Sequence, residues 1–291
     1  MTLNAASVTE LAPAKINLAL HVTGRRPDGY HLIESLVVFT AFGDRVSIRP
    51  AETDSFAVLG PFAPGVPVDA DNLVVRARDA LRTAFPDQAR APVAITLDKR
   101  LPVASGVGGG SSDAAAALRA LARHWRIETP AHHLGDIGLG LGADLPMCLM
   151  ACPLIARGIG EIIEPVQAFP ALAMVLVNPA VAVSTPEVFR ALAKRENPPL
   201  QPLPRDLDFD SMLGWLNASR NDLQAPGTGL APQIGDVLTE LRLSGAAFAR
   251  MSGSGATCFG VYETAQAAAR SADAIAGANP GWFVAATTST R

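Results

Sequence analysis

Cysteine is scarce. Cys148, Cys152 and Cys258 are the only ones in 291 residues, and neither their number nor their spacing supports a disulfide framework or a paired-ligand metal site. They read as small buried apolar residues in a reducing compartment. Aromatics are thin as well, at 5% with two tyrosines. Basic charge is not in excess: 24 Lys and Arg stand against 27 Asp and Glu, a formal net charge of −3. That balance gives no electrostatic footprint for nucleic acid, so any anion must be captured locally. No apolar run reaches the length a bilayer demands, and "MTLNAASVTELAPAK" lacks the basic and then apolar pattern of a secretory leader. The expectation is a cytoplasmic globular protein, and a hydrophobic fraction of 49% with 18% charged residues supplies its core.

A further absence sits inside the most distinctive stretch, "LPVASGVGGGSSDAAAAL", Leu101 to Leu118. It has the look of a phosphate-binding loop. Yet Gly110 is followed by Ser111 where a Walker loop needs Lys, and a dinucleotide fingerprint would need Gly there. Consecutive glycines let backbone approach an anion with no Cβ in the way, and the free N–H groups of a following helix point at it. Ser111 or Ser112 is placed to cap that helix and Asp113 to sit in its first turn; the serine hydroxyls are also donors, or a ligand for a metal ion bridging phosphates. The alternative is a flexible turn capped by Ser. If the loop does hold phosphate, its positive charge must come from elsewhere.

The chain reads as two domains, 1–160 and 161–291. In "AKINLALHV" Ala14, Ile16, Leu18, Leu20 and Val22 fall on one face and Lys15, Asn17 and His21 on the other, a half-buried strand with a polar face. Lys15 is therefore either solvated on an edge strand or the charge the loop lacks. Strands follow in "HLIESLVVFT" and "DRVSIRP", and a helix in "NLVVRARDALRTAF" with Asp71 or Asn72 as cap. "VAITLDKRLP" is a strand that delivers the chain into the glycine loop. Helical "PAHHLGDIGLGLG" leads to an apolar segment that reverses near "RGIGE". Beyond it, strand "ALAMVLVNP", helix "STPEVFRALAK" with a Ser184 to Glu187 capping box, strands "AFARMS" and "TCFGVY", helix "TAQAAARSADAIAG" and strand "WFVAATT" follow in turn. With the inserted helices set aside, their order is β-α-β-β-α-β, a ferredoxin-like pattern.

Four further stretches leave alternatives open. Asp144 in "GLGADLPMC" is a turn former or a general base beside a phosphate site. "RMSGSGATCFG" is a hairpin turn or a second backbone surface against a ligand. In "RNDLQ", the part from Asn221 to Gln224 reads simply as the start of a helix. Tyr30, next to the "PDGY" turn, either stacks on a base or covers the core from a strand edge. His124, His132 and His133 have no partner at a metal spacing and read as surface residues.

Taken in order, "PAKINLALHVTGRRPDGYH", "LPVASGVGGGSSDAAAAL", "GADLP", "RNDL" and "MSGSGATCFG" resemble the GHMP kinases over nearly the whole chain. Within that family the likeness is to the branch acting on a cytidine-diphosphate-linked polyol in non-mevalonate isoprenoid precursor synthesis. The resemblance implies an α+β, two-domain fold: an N-terminal domain like the second domain of ribosomal protein S5 and a ferredoxin-like C-terminal domain. It implies ATP and Mg²⁺, a small-molecule alcohol as the partner, and a monomer or weak homodimer. Pro102, Val103, Ala104, Ser105, Gly106, Val107, Gly108, Gly109, Gly110, Ser111 and Ser112 match the ATP phosphate loop. Lys15 and Asp144 match a catalytic pair, with Asp144 as base and Lys15 as the cation at the reacting hydroxyl. Tyr30 and His31 match residues that hold cytosine, and Asn17 faces the same cavity as Lys15. Where relatives carry an aromatic after the "VNPAVAV" strand, this chain has Ala180, Val181, Ala182 and Val183, so the second stacking face is aliphatic or comes from elsewhere, such as Phe189.

Overall fold

The computed structural model describes residues 7–290; the reading of the N-terminus as leaderless falls partly on 1–6, outside them. The chain runs through β1 (Val8–Arg25), β2 (His31–Pro50), β3 (Ser55–Leu59), α1 (Leu73–Ala84), β4 (Val93–Asp98), α2 (Gly109–His124), α3 (Ala131–Leu141), α4 (Leu145–Met150), β5 (Leu154–Gly158) and β6 (Ile162–Pro165). It continues with β7 (Ala173–Asn178), α5 (Thr185–Arg190), α6 (Phe209–Ala218), α7 (Gln224–Leu230), α8 (Gln233–Leu243), β8 (Phe248–Met251), β9 (Cys258–Tyr262), α9 (Ala265–Ala278) and β10 (Phe283–Thr288). Among the described residues no helix is long and apolar enough to cross a membrane.

Contacts divide these elements into two compact units, and the division passes through β1 after Ala14 and through β2 after Phe42. The first takes the chain up to Ala14 with Gly43–Val103 and Gly108–Met150. In it β4 pairs antiparallel with the end of β2, from Arg45 opposite Asp98 to Pro50 opposite Val93, and parallel with β3. α1 starts where the Asn72 side chain accepts from the Val74 amide, as expected, and its buried Val74, Val75, Ala77 and Leu81 recur at helical spacing. This face packs on α2, whose Ala114–Leu118 and Leu121 are buried. Each large apolar side chain so buried contributes about 1.5–3 kcal/mol.

The second unit holds Lys15–Phe42, Ala104–Val107 and the chain from Ala151. β5 pairs with β2 and turns back into β6, Arg157 opposite Ile162, which is the reversal read at "RGIGE". The other sheet has the order β10-β7-β9-β8, antiparallel throughout. With α5–α7 set aside, β7-α8-β8-β9-α9-β10 is the expected β-α-β-β-α-β order. Val175 and Val177 of β7, Ile234, Val237 and Leu241 of α8, and Ala268 and Ile275 of α9 meet in one core with Leu20 and Val22 of β1. Buried Arg250 donates to the carbonyls of Leu18 and Leu216, and burial lowers its pKa to about 10.

Two local expectations fail. β1 is not half-buried: Lys15, Asn17 and His21 are as buried as the apolar residues between them, because both of its faces are covered. The Ser184 capping box does not form, since the Ser184 side chain makes no cap bond. The Glu187 amide reaches the Ser184 backbone carbonyl instead, which removes the need for a side-chain acceptor.

Candidate active site

The glycine loop leaves β4 and enters α2 through three left-handed residues, Ala104 (φ 51°), Gly106 (φ 77°) and Gly108 (φ 65°). Gly108 is the helix N-cap in that conformation. Because glycine enters the left-handed region without penalty, the helix starts at Gly109, ahead of the serines expected to cap it. Ser111 and Ser112 therefore lie inside the first turn. The Ser112 amide is the first to bond within the helix, to the Gly108 carbonyl at 2.9 Å, which leaves the amides of Gly109, Gly110 and Ser111 without an intrahelical acceptor. Ser112 is fully buried and its hydroxyl donates to the Pro13 carbonyl at 2.7 Å, so it is committed to the fold. Ser111 is partly exposed and keeps the hydroxyl that a phosphate or a metal ion could use.

In the second unit the loop's carbonyls are turned to protein. Val107 accepts from the Lys15 amide (2.9 Å), Ser105 from the Thr257 amide (3.1 Å) and Gly106 from the Ser252 hydroxyl (3.2 Å). The same hydroxyl accepts from the Asn17 amide at 3.1 Å. A Cβ on Gly106 would stand 2.7 Å from the carbonyl oxygens of Ser252 and Gly255. The hairpin reading of "RMSGSGATCFG" holds, since it joins paired strands β8 and β9, and its backbone lies directly against the Gly106 part of the glycine loop. Asn221 does more than precede a helix. Its side-chain amide donates to the carbonyls of Met251 and Gly253, both at 2.8 Å, and so fixes the hairpin.

Lys15 is buried in β1 of the second unit, while Asp144 lies half-buried in the first, immediately before α4, where its carbonyl accepts from the Cys148 amide. The Asn17 side chain donates to Ser35 (2.7 Å), whose hydroxyl passes on to the Ala19 carbonyl.

The residues read as holding a base lie at the start of β2 and just before it. Tyr30 is 62% exposed, so it does not cover the core. His31 stacks on Phe189, ring centroids 4.8 Å apart and 25° between planes. Its buried Nε2 has no hydrogen-bond partner among the described residues. Burial first, then the charges of Arg25 and Arg195, hold His31 below the ordinary histidine pKa, so it stands as a neutral imidazole. Val183 is part of the core, Val181 and Phe189 pack against it, and Phe189 is the aromatic ring that His31 meets.

His21 is structural. Its Nδ1 lies 3.1 Å from the Pro198 carbonyl and its Nε2 3.2 Å from the Arg220 amide. Nδ1–H thus donates and Nε2 accepts, which requires the neutral ring. Burial, then the Arg220 charge, lowers its pKa from 6.5. The unfolded chain takes up a proton at this site before the folded one does, so the contribution is complete above pH 6.5 and is lost as pH falls through the lowered value. Urea midpoints at pH 7.5 and 5.5 are expected to differ less in His21→Gln than in the unsubstituted protein; equal differences would remove His21 as a source of acid sensitivity.

Sequence reasoning overlooked Lys99. Its ammonium is buried between Asp44 and Asp113, 2.6 Å from a carboxylate oxygen of each. Burial raises the Asp113 pKa to about 8 against the pull of Lys99, and burial works against Lys99 too, but the two carboxylates outweigh it and keep Lys99 charged. The expectation that Asp113 sits in the first turn of α2 as a helix-dipole carboxylate therefore fails: the helix starts at Gly109, which puts Asp113 beyond that turn, and the side chain is buried. The signal was available: a Lys ending an apolar strand, with a carboxylate on the next helix.

Among the described residues no group of three or more His, Cys, Asp or Glu side chains could hold a metal ion. A magnesium ion carried in by nucleotide phosphates needs no such cage.

Protein-family models described as "GHMP kinases N terminal domain" and "GHMP kinases C terminal" match residues 72–151 and 205–280. The chain is 58% identical to a protein of Mesorhizobium japonicum named 4-diphosphocytidyl-2-C-methyl-D-erythritol kinase, over 96% of this chain and 94% of that one. It is 56% identical to a protein of the same name from Brucella melitensis, over 95% and 93%. A crystal structure of 4-(cytidine 5'-diphospho)-2C-methyl-D-erythritol kinase superposes with a TM-score of 0.79 at 32% identity, covering 97% of this chain and all of that one.

Proposed function

Because this chain belongs to the GHMP kinases, we propose that it transfers the γ-phosphoryl group of ATP to the 2-hydroxyl of 4-diphosphocytidyl-2-C-methyl-D-erythritol, a step in non-mevalonate isoprenoid precursor synthesis. The observation that carries this reading is the near full-length likeness to proteins of that name at more than half identity. A division of the chain near residue 160, with one family model on each side of it, belongs to the same proposal.

Phosphoryl transfer passes through a loose transition state, so the protein's work is positioning and charge stabilisation. The amides of Gly109, Gly110 and Ser111 receive phosphate oxygens at the positive end of α2. Asp144 takes the proton of the alcohol, and Lys15 offsets the charge that develops on its oxygen. The Ser111 hydroxyl would help to hold a Mg²⁺ ion brought in with the nucleotide, which would supply positive charge at the phosphates.

Tyr30 and Phe189 supply aromatic faces for the cytosine ring, and the unpartnered Nε2 of His31 is a polar atom ready for the edge of a base. Arg25 and Arg195, near enough to His31 to lower its pKa, suit the diphosphate that follows the nucleoside. Tyr30→Ala is expected to raise KM for the cytidylyl substrate by roughly 5- to 150-fold, the equivalent of about 1–3 kcal/mol of base stacking, with KM for ATP unchanged. An unchanged KM for that substrate would end the stacking role. The function itself is tested by ATP turnover with the cytidine-diphosphate polyol, mevalonate and homoserine in parallel. Turnover with either of the latter and none with the first would point to another alcohol kinase of the family.

A further inference from the structure

The Lys99 cluster carries the inference, which rests on the phosphate-loop reading above. Asp44 is fully buried; one of its oxygens meets Lys99, and the other accepts from the amides of Arg100 and Leu101 (2.7 Å), the residues that lead into the loop. Asp113 stands one turn into α2, at the other end of the loop, and meets the same ammonium. A single buried cation therefore joins the strand that enters the loop to the helix that leaves it. The cation also lies under the helix start, where a Cβ on Gly109 would be 3.2 Å from Lys99 Nζ.

Attraction of phosphate does not account for this cluster, because the one cation is held between two acidic side chains and offers the loop no positive surplus. Stability does not account for it either: apolar replacements of buried ion clusters are often neutral or stabilising. What remains is geometry. Anion capture by backbone amides depends on amides that are already aimed, and a displacement of about 1 Å in a positioning element can cost on the order of 10²-fold. We propose that Lys99 is a positioning residue for the nucleotide phosphates, acting through Asp44 and Asp113 to hold the amides of Gly109, Gly110 and Ser111 in one arrangement.

Calorimetric titration of the full chain with ATP, and separately with the cytidine-diphosphate polyol, tests this. Lys99→Met is expected to weaken ATP binding by about 10-fold or more while polyol binding stays within about 2-fold. Asp113→Leu is expected to do the same, and Asp113→Asn, which keeps an acceptor for Lys99, to remain within about 3-fold of the parent for ATP. ATP affinity unchanged in both Lys99→Met and Asp113→Leu, with only the melting temperature lowered, would overturn the proposal; so would equal weakening of both ligands. Should Lys99→Met not fold, the contrast between Asp113→Leu and Asp113→Asn decides. The unsubstituted protein separates the two levels of the argument. Absence of ATP binding there sinks the kinase reading together with this inference, whereas normal binding there with unaffected variants sinks this inference alone.

Discussion

Asp144→Asn is expected to lower kcat by about 10²- to 10⁴-fold, the range a positioned general base supplies, or roughly 3–5 kcal/mol of barrier. Asn has nearly the same shape and still accepts a hydrogen bond, but it cannot take up the alcohol proton. It is also as good a residue as Asp in front of a helix, so the start of α4 at Leu145 should be undisturbed and the melting temperature nearly unchanged. Nucleotide affinity should hold, because nothing in the glycine loop is altered. ADP release followed in a coupled assay, alongside ATP titration, separates these effects. A kcat within 10-fold of the parent would remove Asp144 from the base role, and a loss confined to KM would reassign it to substrate binding.

Gly106→Ala is expected to act at the other end of the chemistry, on the nucleotide. The left-handed φ of 77° costs a non-glycine residue about 1–2 kcal/mol. The added methyl would lie 2.7 Å from the carbonyl oxygens of Ser252 and Gly255, backbone atoms that cannot swing aside. Overpacking of this kind costs about 1–3 kcal/mol more. The loop relieves the clash by shifting, so ATP affinity should fall by up to about 10²-fold, with a lowered melting temperature. Thermal unfolding and ATP titration measure the two. If the variant bound ATP as tightly as the parent, the close approach of loop and hairpin would have no bearing on nucleotide binding.

Much of this was written in the sequence, for identifiable reasons. The β-α-β-β-α-β order of the second unit was legible because its strands and helices alternate with clean turn residues between them. The start of α1 was legible because Asn72 is a strong cap. The burial of β1 was not: period-two alternation reports which residues share a face, and says nothing about whether the second face is covered by chain more than 200 positions away, as Asn17 is by Ser252. The true start of α2 was hidden because serine capping and a left-handed glycine compete for the same role, and the competition is settled by backbone conformation. Lys99 went unread because the nearby signal, Asp113 on the next helix, gains its meaning only with the second partner, Asp44, which is 55 residues distant along the chain. The His31–Phe189 stack likewise joins segments that no local pattern connects.

The bonds that β1 makes within its own unit bear on how the protein is made. Asn17 waits for Ser252, and Leu18 for Arg250, 235 and 232 residues later. At ribosomal speeds of about 5–20 residues per second, this strand leaves the ribosome roughly 10–50 s before its partners exist. Its apolar residues Ile16, Leu18 and Leu20 are exposed meanwhile, and closing loops of that length makes final assembly slow. The arrangement that locks hairpin, strand and glycine loop together in the finished enzyme therefore makes the nascent chain dependent on protection from aggregation until its last quarter has emerged.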